Sequence, residues 1–223
     1  MRLLTTTSEL NQACAQFQNS RYVTIDTEFL REKTFWPKLC LIQIAMPGFE
    51  ALIDPLAEGI NMSRLFEILK NPDILKVMHG CRQDIEIFYK EAGIIPSPMM
   101  DTQVMAMVCG YGDSISYEAL VKRIAKGTID KGSRFTDWSR RPLNNEQLTY
   151  ALADVTYLRD IFEILENELN KRGRLAWLSE EMDILTNPET YNQSPENAWK
   201  RLKFQDKRPH IMGVVIELAK WRE

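Results

Sequence analysis

Hydrophobic positions along the chain follow two rhythms, and each predicts its own elements. From Tyr22 to Phe29 the period is two: Val23, Ile25 and Thr27 share one face, and Asp26 and Glu28 share the other. β-Branched and aromatic content makes this a strand. Leu39 to Met46 is apolar throughout except for Gln43 and predicts a buried strand, and Pro47-Gly48 turns it into a third, Ala51 to Asp54. Three strands in quick succession predict an antiparallel meander. A helix from Thr7 or Ser8, one of them its cap, to Gln18 precedes them. Beyond Asp54-Pro55 the pattern becomes helix and strand in alternation: helix Met62–Lys70, strand Ile74–His79, a turn at Gly80, and helix Gln83–Ala92 stopped by Gly93. Thr102–Val108 and Tyr117–Ala125 predict further helices. Asn144–Asn170 predicts a long one, with Leu148, Ala151, Leu152, Val155, Leu158, Ile161 and Leu165 on its apolar stripe. The fold class expected is α/β, a mixed sheet flanked by helices. No internal repeat is present.

Composition narrows the class. The 223 residues, 44% hydrophobic and 26% charged, are enough for one large domain or a domain with a small appendage. The longest apolar run is far too short to span a bilayer, and the N-terminus lacks a signal-peptide core, so a cytoplasmic chain is expected, with no membrane partner. Cys14, Cys40, Cys81 and Cys109 are scattered, and Cys40 and Cys109 fall at apolar positions expected to be reduced core. With two histidines, His79 and His210, a zinc cage is not expected. A net charge of −3 argues against a surface that coats nucleic acid but leaves room for a local basic groove.

The candidate chemistry is acidic. Asp26 and Glu28 project side by side, which suits a hard divalent cation, although short motifs of this kind more often mark an edge strand with a solvated acidic face. Tyr150 and Asp154 stand four apart on one helix face, which is either buried and functional or simply wet. Asp84, at the first turn of its helix, and Asp101, just before the next, are each explicable as caps.

The order of these pieces carries more than any one of them. Asp26-Thr-Glu-Phe29, His79-x4-Asp84 and Tyr150-x3-Asp154 resemble the three exonuclease motifs of the DEDD superfamily, and the tyrosine marks its DEDDy branch. Within that branch the chain resembles the ribonuclease D family. Arg31-Glu-Lys-Thr-Phe-Trp-Pro37, Leu39–Ile44, Asp101-Thr-Gln103 and Asp137-Trp-Ser-Arg-Arg-Pro-Leu143 add to the resemblance, which covers about residues 1–185. It implies a ribonuclease-H-like exonuclease fold, four metal-binding acids (Asp26, Glu28, Asp84, Asp154) and a catalytic Tyr150, with Asp101 in a supporting place. The activity implied is metal-dependent 3′→5′ hydrolysis of RNA to nucleoside 5′-monophosphates, in the 3′-end maturation of tRNA or other structured RNA. Two divalent ions, Mg2+ or Mn2+, would clamp the attacking and leaving oxygens of an in-line displacement. Asp26 would bridge them, with Glu28 and Asp154 on the nucleophile side and Asp84 on the other, while Tyr150 aligns the attacking water.

Substrate contacts are expected at Phe29 and Trp36, by stacking, at His79, and at Lys131, Arg134 and Arg141. These last three belong to a run of seven bases (Lys122, Arg123, Lys126, Lys131, Arg134, Arg140, Arg141) against Asp130 and Asp137. The partner expected is RNA with a single-stranded 3′ end, bound by a monomer. A DNA exonuclease of the same superfamily, or an RNA-binding scaffold with a dead exonuclease fold, are the alternatives; the four acids weigh against the scaffold. Residues 186–195 have linker composition, and 196–223 resemble the opening helices of an HRDC domain, too short for a core of their own.

Overall fold

The computed structural model describes residues 3–223 apart from Lys33, Asp130, Arg134, Gln193 and Lys207; of Lys131 only the backbone is described. The chain forms two units, Met1–Thr186 and Asn187–Glu223.

In the first unit a short strand β1 (Leu3–Leu4) leads into α1 (Thr7–Phe17). Its cap is Thr6, one residue earlier than expected: Thr6 Oγ1 accepts from the Glu9 N–H, and the Glu9 carboxylate accepts from Thr6 Oγ1 and the Thr5 N–H. That reciprocal box needs the acid three residues after the cap, a spacing that Thr6 has and Thr7 and Ser8 lack. The meander follows as β2 (Tyr22–Leu30), β3 (Lys38–Met46) and β4 (Phe49–Ile53). Next come α2 (Ser63–Lys70), β5 (Leu75–Met78), α3 (Arg82–Ala92), β6 (Met99–Asp101) and α4 (Thr102–Val108). Gly93 closes α3 in the left-handed region (φ 66°), where a Cβ would be strained. The helix expected over Tyr117–Ala125 is α-helical only in α5 (Tyr117–Leu120). It widens into a π turn, Val121–Ala125, and ends at Lys126 with φ 55°. The long helix α6 (Asn145–Arg172) begins in a capping box between Asn144 and Gln147, and α7 (Ser179–Thr186) ends the unit.

Among the described residues six strands form one sheet in the order β1-β4-β3-β2-β5-β6. The meander pairs antiparallel, whereas β1 with β4, β2 with β5, and β5 with β6 pair parallel, giving the mixed sheet expected. The core between sheet and α6 joins Tyr22 and Val77 to Leu158, Ile161, Phe162 and Leu165. A neighbouring cluster joins Leu41 and Leu52 to Trp138, Leu143 and Ala151. Among the described residues no helix is long and apolar enough to cross a membrane.

The second unit holds a 3-10 helix, Pro195–Arg201, and α8 (Pro209–Arg222), joined by an Arg201–Glu223 ion pair of 2.7 Å. The stretch with linker composition contains a 3-10 turn, Pro188–Thr190, capped by Asn187.

Candidate active site

The site is built by the register of β2 against α6. The face of β2 carrying Tyr22, Thr24, Asp26 and Glu28 meets α6 in reverse chain order. Tyr22 donates its hydroxyl to Glu163 (2.6 Å) and Thr24 donates to the Val155 carbonyl (2.8 Å). These two bonds fix the helix over the strand, and the next positions on both bring Asp26, Glu28 and Asp154 together. Their ligand oxygens all lie within 4.8 Å of one another. Tyr117 anchors the same turn by donating to the Asp154 carbonyl (2.5 Å). At Glu28/Phe29 the β2–β3 register slips, so that Glu28 faces Leu41 and Phe29 faces Leu39. Such irregularities re-aim side chains beside functional sites.

Asp84 arrives from α3. It is buried, and its carboxylate accepts from Thr27 Oγ1, a hydroxyl on the opposite face of β2 from Asp26. Asp101 holds the entry to α3 in place: it caps α4 through the Gln103 N–H (2.7 Å) and accepts from the N–H groups of Gly80 (2.9 Å) and Cys81 (3.0 Å). The supporting place expected for Asp101 is therefore a physical tie between β6 and the turn before α3. Burial pushes the Asp26 carboxyl up to about 6, partly offset by the Thr27 N–H. Burial raises Asp84 well above the usual carboxylate range too, and the charge of Asp26 adds to it, against the Thr27 hydroxyl. Carboxylates crowded and desolvated in this way repel one another, and hard cations choose all-oxygen donor sets of this kind. The residues present fit divalent metal.

These acids open onto a cleft of about 720 Å3 that is also lined by Phe29, His79, Tyr117, Phe135 and Tyr150. A family model described as 3′-5′ exonuclease matches residues 1–170. The chain belongs to this 3′-5′ exonuclease family. It is 55% identical over 223 residues to the ribonuclease D of Nitrobacter hamburgensis, which matches 100% of this chain and 58% of that protein. It is 54% identical over 224 residues to the ribonuclease D of a Jannaschia species, again 58% of that protein's length. The chain thus spans somewhat more than half of these relatives. Escherichia coli RNase D, described as an exoribonuclease involved in structured RNA processing, matches with a TM-score of 0.90 and 34% identity over 99% of this chain and 59% of its own. Brucella melitensis NrnC with bound Mg2+, at 23% identity and a TM-score of 0.71, shares the fold. The ribonuclease-H-like exonuclease architecture expected from the motifs is the one observed.

The predicted site residues divide. Asp26, Glu28, Asp84, Tyr150 and Asp154 share the cleft of this exonuclease domain with Phe29 and His79. His79 hydrogen-bonds Thr102 through Nδ1 (3.0 Å) and lies against the Tyr117 ring (5.3 Å between centroids). Trp36 is elsewhere: it packs edge-on to Phe35 and under the Lys90 ammonium. Arg141 is engaged in holding the fold. It grips Asp54 through Nε and Nη2 (both 2.6 Å) and donates to the carbonyls of Cys40, Trp138 and Arg140 at 2.7–2.9 Å. A guanidinium has five N–H donors, and these bonds use all five, so the phosphate contact expected of Arg141 has no donor left. Lys122, Arg123, Lys126 and Arg140 are not among the cleft's lining residues either. Arg134 and the Lys131 side chain lie outside the described residues.

Pattern reading passed over several residues that shape the site. Thr27 sits on the apolar face of β2, where a hydroxyl needs a partner, and Asp84 is that partner. Trp138 is buried beside Tyr150, ring centroids 6.1 Å apart, and limits where the phenol can swing. Tyr117 and Phe135 carried no motif to single them out.

Proposed function

We propose that this chain carries the catalytic domain of a metal-dependent 3′→5′ exoribonuclease, which trims RNA with a single-stranded 3′ end to nucleoside 5′-monophosphates. Structured RNAs such as tRNA precursors are the substrates that the likeness to ribonuclease D favours. The observation that carries the reading is the convergence of Asp26, Glu28, Asp84 and Asp154 with Tyr150 in one cleft.

Asp26, Glu28 and Asp154 would hold one divalent ion, Mg2+ or Mn2+, and Asp84 with Asp26 a second. When bound, the ions supply Lewis-acid polarisation of the phosphoryl group and neutralise charge on the attacking and leaving oxygens. The protein's own part is positioning. Tyr150, held by Trp138 on one side, presents its hydroxyl to the water that attacks phosphorus and sets its direction. Tyr117 fixes the Asp154 turn, and the Thr27 hydroxyl fixes Asp84, so the acids keep their geometry despite mutual repulsion. Phe29 would offer an apolar surface to the terminal base, and His79, which lines the same cleft, would contact the terminal nucleotide.

The sequence of the second unit resembles the start of an HRDC module, an accessory nucleic-acid-binding element of ribonuclease D, and the protein would act as a cytoplasmic monomer. The test is a time course with magnesium on RNA labelled at either end, a DNA strand of the same sequence, and a circular RNA. Stepwise loss from the 3′ end of linear RNA is expected, with slowing at the first stable stem and an intact circle. Internal fragments, 5′-end attack or preference for the DNA strand would overturn the reading.

A further inference from the structure

One polar residue interrupts the apolar run of β3, and the chemistry described above does not use it. Gln43 is 0% exposed, and neither its Nε2 nor its Oε1 has a hydrogen-bond partner within the protein. A primary amide offers two donors and an oxygen with two lone pairs, and leaving all of them unmade inside a fold is costly. The surroundings hold little that could satisfy it. Leu41 and Ala45, its neighbours on the same face of β3, are buried and apolar, and so is Leu52, which stands opposite on β4. Leu41 and Leu52 pack with Ala151 of α6 in one cluster, which puts this face of β3 under the helix that carries Tyr150 and Asp154. An apolar side chain would suit every one of those contacts better.

On the β2 side the neighbour is Asp26. The β2–β3 register sets Asp26 directly opposite Gln43, whereas β5 pairs with β2 at Tyr22, Val23 and Thr24. Residues opposite each other in an antiparallel pair project from the same face, with Cβ atoms about 4.5–5.5 Å apart, within reach of a side chain as long as glutamine. Asp26 lines the cleft and Gln43 does not, so the amide lies behind the carboxylate, on its protein side. Of the diagonal neighbours, Thr24 already donates its hydroxyl to the Val155 carbonyl. Carboxylates that ligate a metal are held in turn by outer hydrogen bonds, and an ionised carboxylate only accepts, so the amide nitrogen is the group that suits it. We propose that Gln43 is a positioning residue for Asp26, its Nε2 donating to the Asp26 carboxylate when that carboxylate holds a divalent ion. The amide would fix the orientation of the carboxylate while touching neither ion nor substrate. This rests on the metal-dependent reading of the cleft and deepens it, by adding an outer partner to the four acids. A Gln43 that merely filled space would behave differently, because an apolar replacement would then leave metal binding unchanged.

The experiment uses the whole chain without RNA and reads metal binding directly. Gln43→Met keeps the length of the side chain and removes the donor, and Gln43→Leu is a second apolar replacement. Mn2+ binding, followed by loss of the free ion's paramagnetic resonance signal, should weaken about ten- to a hundredfold in both, the usual weight of an outer partner. Metal-free thermal melts of both variants should match or exceed the parent, because no hydrogen bond is lost and an unpartnered amide is gone. In nitrogen–proton spectra of isotope-labelled parent, the side-chain amide pair that is missing from Gln43→Met belongs to Gln43. Saturating Mg2+ should move one proton of that pair downfield and slow its exchange with water. The proposal is overturned if both variants bind Mn2+ like the parent, or if their loss of affinity comes with a lower metal-free Tm. It is also overturned if the Gln43 pair keeps its position while Mg2+ raises the Tm of the parent. A parent that binds no Mn2+ would overturn the metal reading of the cleft, and this proposal with it. A parent that binds Mn2+ without shortening RNA from its 3′ end would overturn the exonuclease reading alone, and the isotherms and spectra would still decide the role of Gln43.

Discussion

Replacing Arg141 separates a fold-holding role from a substrate-binding one. Its guanidinium grips Asp54, which is 4% exposed, and three backbone carbonyls; the remaining bond to the Asp54 carboxylate is the Leu56 N–H at 2.9 Å. In Arg141→Met that carboxylate stays enclosed with its counter-ion gone. Breaking a buried pair from one side costs about 3–5 kcal/mol. The Arg141 side chain is itself 27% exposed, so water can reach the gap, and the lower end, about 3 kcal/mol, is the expectation. In a domain of this size that lowers Tm by about 6–12 °C. Arg141→Lys should recover less than half of the loss, because an ammonium cannot reproduce the two-pronged grip on Asp54. Adding Asp54→Asn to Arg141→Met should restore part of it by discharging the stranded acid. Anisotropy with single-stranded RNA across a salt series completes the assay. A phosphate-binding arginine would leave Tm unchanged and flatten the slope of log affinity against log salt by about 0.7. That pair of results would refute the structural role.

Three further outcomes follow from the acidic cluster. Asp84→Asn keeps an oxygen for the Thr27 hydroxyl while removing one charge, so the metal-free protein should melt higher than the parent and hydrolysis should be lost; near-parent nuclease activity would sink the metal assignment. Tyr150→Phe should lower turnover by roughly ten- to ten-thousandfold in single-turnover kinetics while RNA affinity holds; the opposite pattern would make Tyr150 a packing or stacking residue. Asp26 titrates near 6 in the fold against about 3.9 when unfolded, so between those values the folded state holds the extra proton. The metal-free protein should therefore lose stability as pH rises through that window, with Asp84 acting in the same direction, and saturating Mg2+ should reverse the trend in thermal melts.

What could be read in advance was whatever local pattern determines. Period two gave β2 and its acidic face, an apolar run gave β3, and Gly93 and Asn144 marked helix ends that the structure keeps. β6 escaped because three residues after Pro98 carry no period, and β1 because two residues cannot. The basic run misled for a related reason. Charge is visible along a sequence, but its engagement is not, and Arg141 finds its acid 87 positions away. Aromatic residues show the same limit from the other side. Phe29 drew notice from its motif, whereas Phe135, which belongs to no motif, comes to the same cleft only in the folded chain.

The acids of the site come from residues 26 to 154, and one helix makes them a site. α6 is anchored at its start by the Asn144–Gln147 box, at mid-length by Thr24 to Val155 and Tyr117 to Asp154, and further on by Tyr22 to Glu163. Each anchor is a neutral or singly charged hydrogen bond set on either side of the carboxylates, so none of them neutralises the cluster. The fold therefore holds Asp26, Glu28 and Asp154 together against their own repulsion with bonds that do not depend on a cation. A scaffold of that kind keeps its geometry before metal arrives. Binding then relieves repulsion already present, without having to assemble the site, which places the gain in metal affinity and the burden on metal-free stability. Weakening one anchor, as Thr24→Val does by removing the bond to Val155, should lower metal affinity while every ligand stays in place.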